Sequence, residues 1–269
     1  MLKIEHLKKH YDNFSLDCSL ELMSGCVTGL IGQNGAGKST TFKAILGLIS
    51  TDGGNITILG KDRKDFTAKD KEELGVVLSD SGFSGYLKIK DIIPILQNMY
   101  SKFDKSLFIE QVQKFQLPMN KQIKEFSTGM KAKLKVLVAI SHNAKLLILD
   151  EPTAGLDPKG RDEILDSIKD LKEKTGITVI LVSHSMEDVA KYVNRIMVMN
   201  DGVLMYDDTP KHIFAGYREL EQIGLAAPQV TYIMNDLKNA GFAVDVNAIT
   251  VEEARQSILK NLKGIHGKA

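Results

Sequence analysis

The chain's 269 residues, 43% of them hydrophobic, suffice for one sizeable core and a smaller appended unit. Its 35 Lys and Arg nearly balance 34 Asp and Glu, and the resulting formal net charge of +1 disfavours a general basic face, so no nucleic acid partner is expected. The sequence has two cysteines outside any metal-ligand spacing, no secretory signal and no apolar run near the ~20 residues of a membrane helix. These features favour a soluble cytoplasmic protein.

The first 60 residues predict strands around one helix. Residues 14–22 alternate between apolar and polar side chains, which is typical of a strand with one buried face. The short apolar run 26–31 ends in a glycine-rich turn, and the spacing of apolar residues over 38–49 predicts a helix. Another short strand is expected at 55–59, after an Asp-Gly-Gly turn.

The middle of the chain changes to helical spacing. From about residue 85 to 142 the apolar residues recur at helical intervals, which predicts a helical insert. Apolar strands return at 145–149, 177–182 and 196–199, with helical stretches between them, so the pattern is βαβ and favours a parallel sheet. An Asn-Asp-Gly turn at 200–202 predicts a hairpin after the last of these strands.

A small α/β appendage is predicted at 216–269, after a main domain at 1–215. It opens with a helical face that stops at Gly241. Apolar and other residues then alternate over 242–246, the pattern of a strand, and a capping box at 250–253 opens a last helix.

A phosphate-binding loop is indicated at residues 32–39, Gly-Gln-Asn-Gly-Ala-Gly-Lys-Ser, which follows a strand and opens a helix. Glycines let backbone N–H groups converge on phosphate oxygens, and the helix N-terminus adds partial positive charge. Lys38 is expected to bridge the β and γ phosphates of ATP, and the Ser39 hydroxyl to ligate Mg²⁺. The alternative is a turn that only caps the helix. The predicted nucleotide-binding residues here are Gly32, Gln33, Asn34, Gly35, Ala36, Gly37, Lys38, Ser39 and Thr40.

Two carboxylates follow the apolar strand 146–149. Such a strand delivers Asp150 to the carboxyl edge of the sheet, where α/β folds bind ligands. Asp150 is the candidate metal ligand, acting through water, and Glu151 the candidate general base, a role worth ~10²–10⁴ in rate. The alternative is a surface turn where a strand happens to end in acids, and the upstream phosphate loop makes that reading weaker.

The stretch 150–158, Asp-Glu-Pro-Thr-Ala-Gly-Leu-Asp-Pro, resembles the ABC ATPase family, and the resemblance covers about residues 1–215. It implies an α/β P-loop NTPase with a RecA-like parallel sheet core, an antiparallel β subdomain and the helical insert. Residues 154–157 are similar to the loop that crosses the family's dimer interface. Val182-Ser183-His184 is similar to the switch histidine, which implies that His184 senses the γ-phosphate; the alternative is a lone histidine that only caps local structure.

The family's Leu-Ser-Gly-Gly-Gln signature is occupied here by residues 126–130, Phe-Ser-Thr-Gly-Met. Ser127 and Gly129 match that pattern, whereas Thr128 and Met130 depart from it. The resemblance implies that these four residues grip ATP bound to the other subunit of a dimer. The physical requirements of the signature are still met by the Ser127 hydroxyl, by Gly129, which has no side chain, and by the start of a helix. Tyr11 is similar to the aromatic residue that stacks on adenine, although aromatics near strand ends are commonly core.

A departure occurs after residues 74–78, which align with the family stretch that ends in a Mg²⁺-contacting glutamine. Ser79 holds that place, and Asp80 follows it; either can offer an oxygen with shorter reach. The candidate metal set is therefore Ser39, Asp150 and Ser79.

One ATPase domain with a short tail is similar to transporter subunits that serve a separate integral membrane permease, as a homodimer or as a heterodimer with a related ATPase, on the inner face of the cell membrane. The altered signature and Ser79 resemble bacterial exporter ATPases for bacitracin resistance or phenol-soluble modulins, so export is expected. The tail segments 228–230 and 250–254 are instead similar to energy-coupling-factor importer ATPases, which is one alternative. A soluble ATPase that regulates a cytosolic partner is the other.

Overall fold

Two β-sheets form the framework of the fold. The computed structural model of the chain describes residues 1–79 and 82–266. Within these residues the strands are β1 (Leu2–Tyr11), β2 (Phe14–Leu22), β3 (Val27–Ile31), β4 (Gly53–Ile58), β5 (Lys61–Asp62), β6 (Leu74–Val77), β7 (Leu146–Asp150), β8 (Thr178–Val182), β9 (Arg195–Asn200) and β10 (Val203–Asp208). The helices are α1 (Lys38–Ile45), α2 (Ala68–Lys71), α3 (Ile89–Met99), α4 (Lys105–Lys114), α5 (Thr128–Ile140), α6 (Pro158–Thr175), α7 (Met186–Tyr192), α8 (Pro210–Ala215), α9 (Tyr217–Gln222), α10 (Gln229–Asn239) and α11 (Val251–His266).

The central sheet has the order β10-β9-β3-β8-β7-β6. Its strands run parallel except β10, which pairs antiparallel with β9 through the turn at 200–202. Every residue of β7 and β8 is buried, because one face of this sheet packs against α1 and the second sheet and the other face packs against helices, and this explains their continuous apolar runs. The predictions of a parallel sheet and of the hairpin are confirmed.

The second sheet is antiparallel, in the order β2-β1-β4-β5. One apolar cluster joins Leu7 of β1, Phe42 of α1 and Ile148 of β7, so α1 shares a core with both sheets. The phosphate loop is thus anchored on two sides.

The helical insert consists of α3, α4 and α5. Its apolar faces pack, through residues such as Phe108, Val112 and Leu137, into the large core cluster that also holds Leu147 and Leu149 of β7. The predicted switch to helices after about residue 85 is therefore confirmed, with α5 leading back to the central sheet. Among the described helices, none combines the length and the apolarity that crossing a membrane requires.

The C-terminal region is helical in the described residues, and here the predicted strand is wrong. Residues 242–246 form no strand: the Val244 N–H donates locally to the Phe242 carbonyl at 2.9 Å, and the Val244 side chain packs in a small cluster with Val230 and Met234. Leu220, by contrast, lies in the large core cluster. The division of the chain at residue 215 stays a prediction.

Candidate functional site

The loop between β3 and α1 has a backbone shape that glycine permits. Gly37, at the N-cap of α1, has a φ of 104°, a left-handed conformation that residues with a Cβ rarely adopt. A Cβ there would also lie 3.0 Å from the Leu16 side chain. The first N–H groups of α1 have no partners within the helix and face the loop. A helix N-terminus of this kind favours the binding of an anion.

Lys38 places a cation inside this loop. Its side chain is buried, and its Nζ donates hydrogen bonds to the carbonyl oxygens of Gly32 at 2.6 Å and Gln33 at 2.8 Å. Burial lowers the pKa of Lys38, and the carboxylates of Glu151 and Asp150 oppose that shift. A buried ammonium held by two carbonyls, beside two carboxylates, is arranged to receive phosphate oxygens.

Three side-chain oxygens converge at the end of β7. Asp150 is buried, and its Oδ2 accepts a hydrogen bond from Ser39 Oγ and another from Ser79 Oγ, each at 3.3 Å. No group of three His, Cys, Asp or Glu residues in the described part of the chain could hold a metal ion. Mg²⁺ commonly takes one or two carboxylates together with substrate phosphates and water. The set of Asp150, Ser39 and Ser79 therefore fits Mg²⁺ that arrives with a nucleotide; Asp80 lies outside the described residues.

Glu151 and His184 form a pair beside this oxygen cluster. His184 Nε2 lies 3.0 Å from Glu151 Oε1. Glu151 has a φ of 51°, an uncommon left-handed conformation for a residue with a Cβ, and its N–H donates to the carbonyl of Val182 at 3.2 Å. The sharp turn after Asp150 therefore points two consecutive carboxylates into the site, with His184 positioned by the next strand, β8.

One cleft of about 510 Å³ gathers most of the predicted nucleotide-binding residues. Tyr11 is 47% exposed at its edge. Gly32 is buried at the base of the loop. The predicted residues that line the cleft are Tyr11, Gln33, Asn34, Gly35, Ala36, Gly37, Lys38, Ser39, Thr40 and Glu151. Sequence reasoning missed four residues of the cleft. The alternation of β2 explained Phe14 and the hairpin turn explained Asn200 and Asp201 in structural terms, and no pattern marked Asn13.

The altered signature lies elsewhere in the same chain. Ser127 caps α5, its Oγ accepting a hydrogen bond from the Met130 N–H at 3.2 Å. Thr128 lines a second cavity of about 490 Å³, which Glu151 also lines. In the part of the chain that the structure describes, the phosphate-loop cleft is lined by none of the four signature residues, Ser127, Thr128, Gly129 and Met130. A single chain thus does not bring the signature to its own phosphate loop.

The turn after α9 touches the phosphate loop at Gln33. Gly224 has a φ of 68°, and a Cβ at this position would lie 1.5 Å from Gln33 Nε2. Gly224→Ala is therefore expected to displace the Gln33 side chain and weaken ATP binding, in addition to a loss of stability of ~1–2 kcal/mol from the left-handed backbone. Equilibrium unfolding and titration with a fluorescent ATP analogue measure the two effects.

Gly176→Ala is the matched control, because Gly176 has the same φ of 68° and a Cβ there would meet nothing within 4 Å. This control should lose stability alone. Equal nucleotide affinity in the two variants would contradict a link between the C-terminal region and the phosphate loop.

The chain is similar to known transporter proteins over most of its length. The family model described as ABC transporter matches residues 16–154. The energy-coupling factor transporter ATP-binding protein EcfA2 of Clostridium tetani is 38% identical, over 91% of this chain and 88% of that protein. EcfA1 of Caldanaerobacter subterraneus is 33% identical, over 91% of both chains. The solved structure of cbiO1 from Clostridium perfringens, described as part of the ABC transporter complex cbiONQ, is 26% identical with a TM-score of 0.64, covering 82% of this chain and 94% of that one.

These similarities do not support the expectation of export. The relatives are energy-coupling factor proteins, as the tail segments 228–230 and 250–254 indicated, and not bacitracin or phenol-soluble modulin exporters. The residues that favoured an exporter, Thr128, Met130 and Ser79, lie in the signature and at the oxygen cluster. Nucleotide chemistry is common to both directions of transport, so these residues do not encode direction.

Proposed function

Because the chain belongs to the ABC transporter family as an ATP-binding subunit that hydrolyses ATP to drive transport, we propose that it powers an energy-coupling factor transporter of the import type. The observation that carries this proposal is the 38% identity to EcfA2, which extends over 91% of this chain and 88% of that protein. The substrate then depends on the membrane protein with which the chain assembles. The chain itself sits at the inner face of the membrane through that permease.

The working unit is a dimer of ATP-binding subunits that face each other head to tail. The separation of Ser127 from the phosphate-loop cleft within one chain supports this, since the signature needs a second subunit to reach a nucleotide. The chain resembles both EcfA2 and EcfA1, two ATP-binding proteins named for energy-coupling factor transporters, which favours a heterodimer with a related chain.

Binding of ATP joins the two subunits. The phosphates lie in the loop 32–39, where Lys38 and the N–H groups of α1 neutralise their charge. The adenine stacks on Tyr11 at the edge of the cleft. The N-terminus of α5, with Ser127 and Gly129, faces the nucleotide of the other subunit.

Hydrolysis depends on Glu151 and His184. Ser39, Asp150 and Ser79 would hold Mg²⁺, which would neutralise charge at the phosphates. Glu151 accepts a hydrogen bond from the attacking water and raises its nucleophilicity. His184, 3.0 Å from Glu151, fixes the direction of that carboxylate and faces the γ-phosphate. Loss of the γ-phosphate weakens the nucleotide-bridged interface between the subunits, and the insert α3–α5 moves as the dimer opens.

Co-purification tests the proposed assembly. The tagged chain, expressed from its own genome and extracted with detergent, is expected to bring down a related ATPase and a multi-span membrane protein, and vesicles containing the complex should take up a solute only with ATP. An alkaline carbonate wash should release the tagged chain from membranes. Recovery with a ribosome or with a cytosolic protein alone would favour a soluble regulatory ATPase and contradict the transporter proposal.

A further inference from the structure

A lysine of the helical insert reaches the end of strand β6. Lys135 of α5 is half-buried, and its Nζ donates hydrogen bonds to the carbonyl oxygens of Leu78 at 3.3 Å and Ser79 at 3.2 Å. A hydrogen bond from an ammonium group is stronger than one between neutral groups. The peptide groups that follow β6 are therefore held by a side chain from a different part of the fold.

The residue held in this way is the one whose hydroxyl meets Asp150. Ser79 Oγ and Ser39 Oγ both donate to Oδ2 of Asp150, so Ser79 is the third member of the oxygen cluster. A serine side chain has one rotatable bond before its oxygen, and its reach is short. The position of the Ser79 backbone consequently determines whether the hydroxyl reaches the cluster.

We propose that Lys135 is a positioning residue that holds Ser79 in the metal-binding arrangement and ties that arrangement to the orientation of α5. The same helix carries Ser127 at its N-cap, eight residues and ~12 Å from Lys135. A rotation of the insert that moves the signature therefore also moves the support of Ser79. This inference rests on the proposed nucleotide site and adds a route by which the insert adjusts it.

Metal binding in the presence of a nucleotide tests the proposal. The probe is Mn²⁺, titrated against the full chain with a non-hydrolysable ATP analogue and followed by the loss of the free Mn²⁺ electron paramagnetic resonance signal. Lys135→Met is expected to weaken Mn²⁺ binding roughly tenfold, the usual effect of removing a group that supports a metal ligand. Lys135→Arg, which keeps a cation and donors, should restore most of the affinity.

Two controls separate positioning from general damage. Lys90→Met removes an exposed lysine from α3 of the same insert and should leave Mn²⁺ binding unchanged. Binding of the analogue with EDTA present should be equal in wild type and Lys135→Met. Failure of the wild-type chain to bind the analogue would refute the nucleotide site itself, whereas wild-type Mn²⁺ affinity in Lys135→Met would overturn the role of Lys135 alone.

A double-mutant cycle shows whether Lys135 acts through Ser79. Ser79→Ala is expected to weaken Mn²⁺ binding by a similar factor, and adding Lys135→Met to it should change the affinity by less than about twofold, because coupled residues are not additive. Equal losses from Lys135→Met in both backgrounds, or no loss in Ser79→Ala, would overturn the proposal.

Discussion

Glu151→Gln is expected to bind ATP with near-normal affinity and to lose nearly all hydrolysis. Glutamine keeps the size of the side chain and can still meet His184, but it cannot accept a proton from water, and a general base contributes ~10²–10⁴ in rate. ATP then continues to bridge the two subunits, so the closed dimer should accumulate. Phosphate release at saturating ATP, equilibrium nucleotide binding and light scattering measure these three properties.

Glu173→Gln is the control for this experiment, because Glu173 lies exposed near the end of α6. It should hydrolyse ATP at the wild-type rate. If Glu151→Gln turned over ATP within a few-fold of wild type, Glu151 would not be the base, and the pairing with His184 would need another role.

Lys38→Ala is expected to abolish measurable ATP binding. Two charge-assisted hydrogen bonds to phosphate are lost, each worth about 1.5–3 kcal/mol, so the affinity should fall by at least ~10². Removal of Lys38 also leaves the buried carboxylate of Asp150 without this nearby cation, so some loss of stability is expected beside the loss of binding. Isothermal titration with ATP and Mg²⁺, alongside thermal unfolding, measures both effects.

Lys105→Ala is a matched control, since Lys105 is the first residue of α4 just as Lys38 is the first residue of α1, but its side chain is exposed. Nucleotide affinity should not change. Unaltered affinity in Lys38→Ala would count against the phosphate-loop assignment.

Local patterns were sufficient for the phosphate loop and the acidic strand end. Residues 32–39 connect one strand to one helix, and Asp150 and Glu151 follow a buried strand directly, so each feature is contiguous in the chain. The parallel sheet then follows, because alternating strands and helices favour it. The meeting of Ser39 with Asp150 was predictable from the rule that ligands bind at the carboxyl edge of such a sheet.

Contacts between distant segments were not predictable in this way. Lys135 is the last of three alternating lysines in α5, and nothing nearby in the sequence indicates that it reaches Ser79, 56 residues earlier. The contact of Gln33 with Gly224 joins the phosphate loop to a turn near the other end of the chain. The alternation over 242–246 failed for a related reason: a strand needs a neighbour, and alternation alone does not supply one.

The left-handed backbone of Glu151 sets the stability of the chain against its ATPase activity at this position. A glutamate at a φ of 51° carries a cost of ~1–2 kcal/mol that glycine would not incur. Mutations to glycine or asparagine should therefore raise the thermal stability of the chain while they abolish turnover. In a gene copy released from selection for transport, this site is expected to drift early toward those residues. Retention of glutamate at position 151 would then mark lineages in which the motor is still in use.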